Sequence, residues 1–199
     1  MIIGLIGQKR VGKDTVANII QEYDKEYKRF ALADPIKDIA RIMFNFSEEQ
    51  LFESEKDQVD GKWGIKPRDF FEKFGTEIMQ YDIYKYLPAL ESHVPQRSFW
   101  VKSLINKINK IESDNPKVII TDIRGYHELN EIKKHYSRTL FIKITRPDKQ
   151  LQNISNTHLT QLEPELISNK DYDEEIINSG SIAELKEKIY SLLDKYRKE

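Results

Sequence analysis

Cysteine is absent from all 199 residues, and histidine occurs only four times. The absence of cysteine excludes disulfides, thiolate metal sites and a cysteine nucleophile, and it fits a reducing cytoplasm, which is the expected location. The sequence also lacks a basic excess, because its formal net charge is −1, so nucleic acid is not an expected partner. No apolar run is long enough to span a membrane, so no membrane association is expected. With 39% hydrophobic and 33% charged residues, the composition is typical of one globular domain over residues 1–199.

The N-terminal stretch predicts a nucleotide-binding loop. Residues 2–6 form an apolar run that indicates a buried strand and not a signal sequence, and a helical pattern of apolar residues begins at Val16. Between them lies Gly-x-x-x-x-Gly-Lys, the P-loop pattern, in which backbone N–H groups and the lysine contact phosphate oxygens. The usual Ser or Thr after the lysine is replaced by Asp14. The predicted ATP-binding residues are Gly7, Lys9, Arg10, Val11, Gly12, Lys13, Asp14 and Thr15.

A second signal is the β-branched run at residues 117–122, which ends in Asp122. Such a run predicts a buried parallel strand with a carboxylate at its C-terminal end. In P-loop proteins an acidic residue at this place helps to hold Mg²⁺ close to the phosphates. We therefore predict a magnesium site formed by Asp14 and Asp122, with part of the coordination supplied by water.

The remaining pattern alternates strands with helices. Strands are predicted at residues 28–33, 139–144 and 174–178. Helices are predicted to begin near Asp34, as an N-cap before a proline, at Pro67, at Phe99, and after Ser181, which forms a capping box with Glu184. This order predicts an α/β fold with a doubly wound parallel sheet of about five strands and flanking helices, in which ligands lie at the carboxyl ends of the strands.

The apolar stripe of the helix at Asp34 is expected to reach Met43, and the helix at Pro67 is expected to place Ile78 and Tyr81 in the core. Gly75 interrupts that helix, which indicates close packing there.

Two segments lack a regular period. Residues 47–66 are polar and acidic, and we interpret them as an irregular or mobile insertion on the acceptor side of the domain. Residues 146–171 begin with Arg146 and are rich in Asn, Gln, Thr and Ser, which indicates a lid.

Several short motifs, taken together in order and spacing, resemble the deoxynucleoside monophosphate kinases of large-genome bacteriophages and related viruses. The resemblance covers most of the chain. Its motifs are residues 7–15 with the Gly-Lys-Asp-Thr ending, residues 35–38, Arg68 with residues 75–77, residues 100–102, 122–124, 145–147, 156–158 and 178–181.

The resemblance implies a three-layer P-loop kinase that moves the γ-phosphoryl group of ATP onto a deoxynucleoside monophosphate, with Mg²⁺ as cofactor. A homodimer is left open. The implied catalytic residues are Lys13, Arg146 and Asp122. The implied acceptor-binding residues are Asp34, Lys37, Arg68, Trp100 and Arg124. Two positions depart from the family pattern, since Asp34 stands where glycine is common and Ile123 replaces a small polar residue, and these departures leave base preference open.

Two alternatives compete with this interpretation. One is a P-loop kinase that acts on another phosphorylated small metabolite. The other is a regulatory protein that binds nucleotide without catalysis. A GTPase would need an Asn-Lys-x-Asp segment, and Asn169-Lys170-Asp171 lacks the intervening residue.

Overall fold

The computed structural model describes residues 1–111, 113, 115–147 and 159–197, without the side chains of residues 159–162. The chain forms two compact units, one made of residues 1–31 and 104–199 and the other of residues 32–103. The first unit contains the sheet, the P-loop and Arg124. The second contains the other candidate acceptor residues, Asp34, Lys37, Arg68 and Trp100. None of the helices in the described part of the chain is both long enough and apolar enough to cross a bilayer.

The sheet has five parallel strands in the order β2-β3-β1-β4-β5. The strands are β1 (Ile2–Ile6), β2 (Lys28–Phe30), β3 (Val118–Ile123), β4 (Thr139–Thr145) and β5 (Glu174–Ile177). The central strand β1 pairs in register with β3 and β4, Ile2 lying opposite Val118 and Thr139. All five residues of β1 are buried, as expected for a parallel strand covered on both faces.

Helices cover both faces of this sheet. On one face, α1 (Lys13–Tyr23) and α9 (Ile182–Arg197) pack against alternate residues of β1 and β4 in one apolar cluster. On the other face lies α7 (Tyr126–His135), whose Lys133 ammonium is 5.3 Å from the ring centroid of Phe141. Because side chains alternate along a strand, Phe141 points away from the α1 and α9 side. The predicted doubly wound parallel fold is confirmed.

The other helices are α2 (Asp34–Phe44), α3 (Glu48–Phe52), α4 (Pro67–Glu72), α5 (Ile83–Tyr86), α6 (Phe99–Ile108) and α8 (Leu159–Leu166). Short 3₁₀ turns occupy Ser54–Asp57 and Pro88–Leu90, and a π-helix occupies Lys73–Asp82. The predicted starts at Pro67, at Phe99 and after Ser181 are confirmed. Ser181 forms the predicted capping box, because its hydroxyl accepts from the Glu184 N–H and its own N–H donates to the Glu184 carboxylate.

Several predictions about the second unit were wrong. Residues 47–66 are not irregular throughout, since Ser47 and Gln50 cap each other at the start of α3. Asp34 is the first residue of α2 and not its N-cap, which is Ala33. Met43 is 54% exposed, because α2 buries only the Ile36 and Ala40 stripe. Ile78 and Tyr81, expected in the core, are also exposed.

Close packing at Gly75, predicted from its position inside a helix, is confirmed. Gly75 is buried in the π-helix, and a Cβ there would lie 2.6 Å from the Ile36 Cδ1 atom of α2. The Gly75 carbonyl accepts a 2.6 Å hydrogen bond from the Trp100 indole N–H. A π-helix has i→i+5 hydrogen bonds, so its turn is one residue wider than that of an α-helix. Gly75 lies in this segment, close to Ile36 and bonded to Trp100.

Candidate active site

The P-loop connects β1 to α1 and closes around the side chain of Lys13. Arg10 and Gly12 have left-handed backbone conformations, with φ of 68° and 104°. Lys13 Nζ donates to the carbonyl oxygens of Gly7, at 2.7 Å, and Gln8, at 2.6 Å. The lysine thus reaches back across the loop that precedes it. Its ammonium is held at the start of the loop, directly after the end of β1.

Charges from β3 and the turn after it act on this ammonium. The pKa of Lys13 is lowered to about 8, first by burial and then by the guanidinium of Arg124, while the carboxylates of Asp122 and Asp14 oppose the shift. Asp122 is the fifth residue of β3, and Arg124 directly follows the strand. The structure therefore brings Lys13, Asp122 and Arg124 together at the carboxyl edge of the sheet, where a ligand of this fold binds.

Asp14 has a specific partner that the sequence did not indicate. Its Oδ1 atom accepts a hydrogen bond from Arg29 Nη2 of β2, and Arg29 also lies 3.4 Å from Asn18 Oδ1. The Asp14 side chain is 80% exposed, so the pair contributes at most about 1 kcal/mol to stability. No group of three or more His, Cys, Asp or Glu side chains suited to a metal occurs in the described ranges. This donor set fits Mg²⁺ held mainly by phosphates and water, with Asp122 as the better-placed carboxylate.

Glu128 is a site residue that the sequence reasoning missed. Its Oε2 atom accepts hydrogen bonds from the backbone N–H groups of Arg124, at 2.7 Å, and Gly125, at 3.1 Å. Glu128 occupies the third position of α7, and a glutamate there is the recognised partner of an N-cap, so the spacing from Gly125 could have identified it. These two hydrogen bonds hold in place the turn after β3, in which Arg124 lies.

Burial raises the pKa of Glu128 to about 7, despite its two backbone donors. A carboxyl with a raised folded-state pKa stabilises the protein below its unfolded pKa of about 4.5, and this contribution is lost as pH rises through about 7. We therefore expect Glu128→Gln, which keeps an acceptor oxygen, to gain stability relative to wild type between pH 5 and 7.5. The expected gain between these pH values is about 2 kcal/mol. Urea unfolding at the two pH values measures it.

The matched control for this experiment is Glu187→Gln, which removes the same charge from an exposed position on α9. It should leave the pH dependence of stability close to that of wild type. Parallel pH profiles for wild type and Glu128→Gln would contradict the burial of an ionisable carboxyl at this turn.

The other predicted residues of the first unit lie around the loop or beyond it. Lys9 and Arg10 are exposed at its rim, Val11 is buried beneath it, and Thr15 is half-buried in the first turn of α1. Arg146 is half-buried and directly follows β4. Most of the predicted lid, residues 148–158, lies outside the described residues, as does the 156–158 motif. The part that is described includes α8, whose Pro164 lies inside the helix.

In the second unit the candidate acceptor residues have local partners. Lys37 Nζ is 4.1 Å from the centroid of the Phe52 ring. Arg68 forms an ion pair with Asp57 through two hydrogen bonds, and this contact raises the pKa of the guanidinium. Asp34 opens α2. Lys37 and Arg68 carry the positive charge that a phosphate site needs, whereas Asp34 does not, and the assignment of all three to the acceptor stays a prediction.

Trp100 is 5% exposed and has its indole N–H engaged by the Gly75 carbonyl. Its ring packs edge-on against Phe99, with centroids 5.0 Å apart, and tilted against Phe74 at 6.4 Å. Trp100 is therefore part of the packed interior of the second unit. A direct contact between Trp100 and the acceptor base also stays a prediction.

Comparison with known proteins identifies the family of this chain. The family model for deoxynucleotide monophosphate kinase matches residues 1–67 and 62–189. A protein of Acanthamoeba polyphaga mimivirus, named provisionally as a deoxynucleotide monophosphate kinase, is 31% identical over 202 residues, which cover 98% of this chain and 96% of the viral protein.

Solved structures of two small-molecule kinases are similar at a greater distance. Shikimate kinase from Aquifex aeolicus aligns with a TM-score of 0.48 and 16% identity, over 98% of this chain and 97% of that one. Dephospho-CoA kinase from Campylobacter jejuni aligns with a TM-score of 0.49 and 14% identity, over 98% and 96%. The family model and the viral relative suffice, and the chain belongs to the deoxynucleotide monophosphate kinase family.

Proposed function

We propose that the protein transfers the γ-phosphoryl group of ATP to a deoxynucleoside monophosphate, giving ADP and the deoxynucleoside diphosphate for DNA precursor synthesis. The observation that carries the proposal is that the charges of Asp122 and Arg124 act on the Lys13 ammonium beside the P-loop, at the carboxyl ends of the strands. Two cations and one carboxylate in this place suit a ligand that brings several phosphate charges and a metal ion. Family membership supports the same reaction.

Phosphoryl transfer requires alignment of the reactants and compensation of charge more than covalent chemistry from the protein. The P-loop N–H groups are assigned to the β- and γ-phosphates. On binding ATP, the Lys13 ammonium exchanges its two carbonyl partners for phosphate oxygens. That exchange is favourable because a buried cation gains more from an anion than from neutral carbonyl groups. Thr15, in the first turn of α1, is assigned to the α-phosphate or to the water around the metal.

Mg²⁺, when bound with ATP, supplies positive charge to the β- and γ-phosphate oxygens. Asp122 is the residue proposed to hold it. Asp14 is assigned a lesser part, because its carboxylate is engaged by Arg29. On this view the pair of Arg29 and Asp14 links the first turn of α1 to β2 and adds little to stability.

Arg124, Arg68 and Lys37 are proposed to hold the monophosphate of the acceptor, with Asp34 and Trp100 lining its nucleoside. An arginine fork matches two phosphate oxygens at once, which suits Arg124 and Arg68 for this part. Arg146 is proposed to stabilise charge on the transferring group and to begin the lid over residues 146–171. Closure of a lid excludes water, so ATP should be hydrolysed slowly until the acceptor arrives.

The experiment that tests this proposal measures ADP release with ATP, Mg²⁺ and a panel of deoxy- and ribonucleoside monophosphates. Slow ADP formation with ATP alone and a large increase with at least one deoxynucleoside monophosphate are expected, with ribonucleotides serving less well. If the panel stimulates nothing while another phosphorylated metabolite does, the acceptor class is wrong. If no acceptor stimulates ADP release, the protein is a nucleotide-binding regulator and not a kinase.

A further inference from the structure

The loop between β5 and α9 contributes one side chain to the P-loop. Asn178 directly follows β5, and its backbone N–H donates to the Thr145 carbonyl at 2.8 Å, which extends the pairing of β5 with β4. The Asn178 side chain is directed toward the P-loop. Its Nδ2 atom donates a 2.8 Å hydrogen bond to the Val11 carbonyl, although the two residues are 167 positions apart.

The residue after Val11, Gly12, leaves the space that the Asn178 amide needs. A Cβ atom on Gly12 would lie 2.4 Å from Asn178 Nδ2, closer than real atoms approach. Glycine therefore serves two purposes here, since it also adopts a φ of 104°. The asparagine amide fills the space that the missing side chain leaves, so it is packed against the loop as well as bonded to it.

The direction of a P-loop N–H group follows from this bond. The Val11 carbonyl and the Gly12 N–H belong to the same planar trans peptide, in which the C=O and N–H bonds point in opposite directions. An anchor on the Val11 oxygen therefore sets the direction of the Gly12 N–H. Without the anchor, this peptide group can rotate, because glycine offers little steric resistance on its own side.

We propose that Asn178 is a positioning residue for ATP, which orients the Val11–Gly12 peptide so that its N–H donates to a phosphate oxygen. The inference rests on the proposed function, because it takes the P-loop ligand to be ATP. Asn178 acts through the loop and does not itself contact the phosphates. It also ties the P-loop to the end of β4, one residue before Arg146.

Two substitutions separate this positioning from simple packing. Asn178→Ala removes the donor, and the loss of one hydrogen bond predicts roughly 10-fold weaker ATP binding. Asn178→Asp keeps the size of the side chain but sets a carboxylate oxygen against the Val11 oxygen, so binding should weaken further at pH 7. The control, Asn106→Asp, makes the same change of charge at an exposed residue of α6, outside the proposed site and lid.

The measurement is calorimetric titration of ATP in the absence of any acceptor, at pH 7 and at pH 4.5. In Asn178→Asp, protonation of the introduced carboxyl restores a donor, so its ATP affinity should recover at least several-fold relative to wild type at pH 4.5. Asn106→Asp should follow wild type at both pH values. Thermal midpoints of unfolding within a few degrees of wild type are expected for all three variants.

Unchanged ATP affinity in Asn178→Ala and Asn178→Asp would overturn the inference. So would a loss that follows a large fall in thermal midpoint and shows no recovery at low pH, since that pattern belongs to a purely structural contact. The titration needs no turnover, so it is independent of the acceptor. If the wild-type protein binds ATP but phosphorylates no monophosphate, only the proposed function is refuted. If the wild-type protein phosphorylates a monophosphate but the Asn178 variants bind ATP as tightly as wild type, only this inference is refuted.

Discussion

Lys13→Ala is expected to lower turnover at least about 100-fold, the scale that accompanies loss of one preorganised electrostatic contact in an active site. In the structure the Lys13 ammonium already lies in the loop, held by two carbonyl oxygens and close to Asp122 and Arg124. Once it has exchanged those carbonyl partners for phosphate oxygens, it can contact the charge that develops on the transferring phosphoryl group. Removal of the lysine leaves that charge to the P-loop N–H groups, Arg146 and Mg²⁺.

The fold should survive this substitution, because Lys13 lies at the first position of α1 and no apolar core depends on it. Steady-state kinetics of ADP release, with circular dichroism to verify folding, measure the effect. Lys25→Ala, at an exposed position after α1, is the matched control and should keep wild-type turnover. Near-normal turnover in folded Lys13→Ala protein would remove the P-loop kinase interpretation.

Asp122→Asn should lose activity to a similar extent while it keeps much of its affinity for ATP. The substitution preserves the shape of the side chain at the end of β3 but removes the negative charge that is proposed to hold Mg²⁺. Loss of a metal contact predicts that raised Mg²⁺ concentrations recover part of the activity. Titration of a fluorescent ATP analogue at several Mg²⁺ concentrations gives a measure of binding that does not depend on turnover.

The control for this variant is Asp82→Asn, because Asp82 pairs with Lys85 on the surface of the second unit, where an ion pair contributes little. It should resemble wild type in turnover and in its response to Mg²⁺. If Asp122→Asn is fully active even at low Mg²⁺, then Asp122 only ends a strand and the metal site must be sought elsewhere.

The sequence predicted the sheet and the place of its site because these depend on local patterns. Continuous apolar runs such as residues 2–6 and 118–120 can be satisfied only by strands buried on both faces. Once the strands are parallel, their carboxyl ends share one edge, so Lys13 and Asp122 had to approach each other. The effect of Asp122 and Arg124 on the pKa of Lys13 agrees with that approach. Their roles in catalysis stay predictions.

Features that depend on distant contacts could not be predicted in the same way. The pairing of Asp14 with Arg29 and the bond from Asn178 to Val11 join residues that only the folded chain brings together. Glu128 carries a spacing signal, but its burial depends on how α7 packs on the sheet. The close approach of Ile36 to Gly75 joins two helices that are separate in the sequence, so no local propensity encodes it.

ATP that carries a radioactive γ-phosphoryl group makes the transfer itself visible. The protein is incubated with this ATP, Mg²⁺ and each deoxynucleoside monophosphate in turn, and the products are separated by chromatography. We expect the label to appear in a deoxynucleoside diphosphate in a one-to-one ratio with ADP, and to be nearly absent from that product with Lys13→Ala. Label that remains in ATP, or that appears only as inorganic phosphate, with every monophosphate would contradict the proposed reaction.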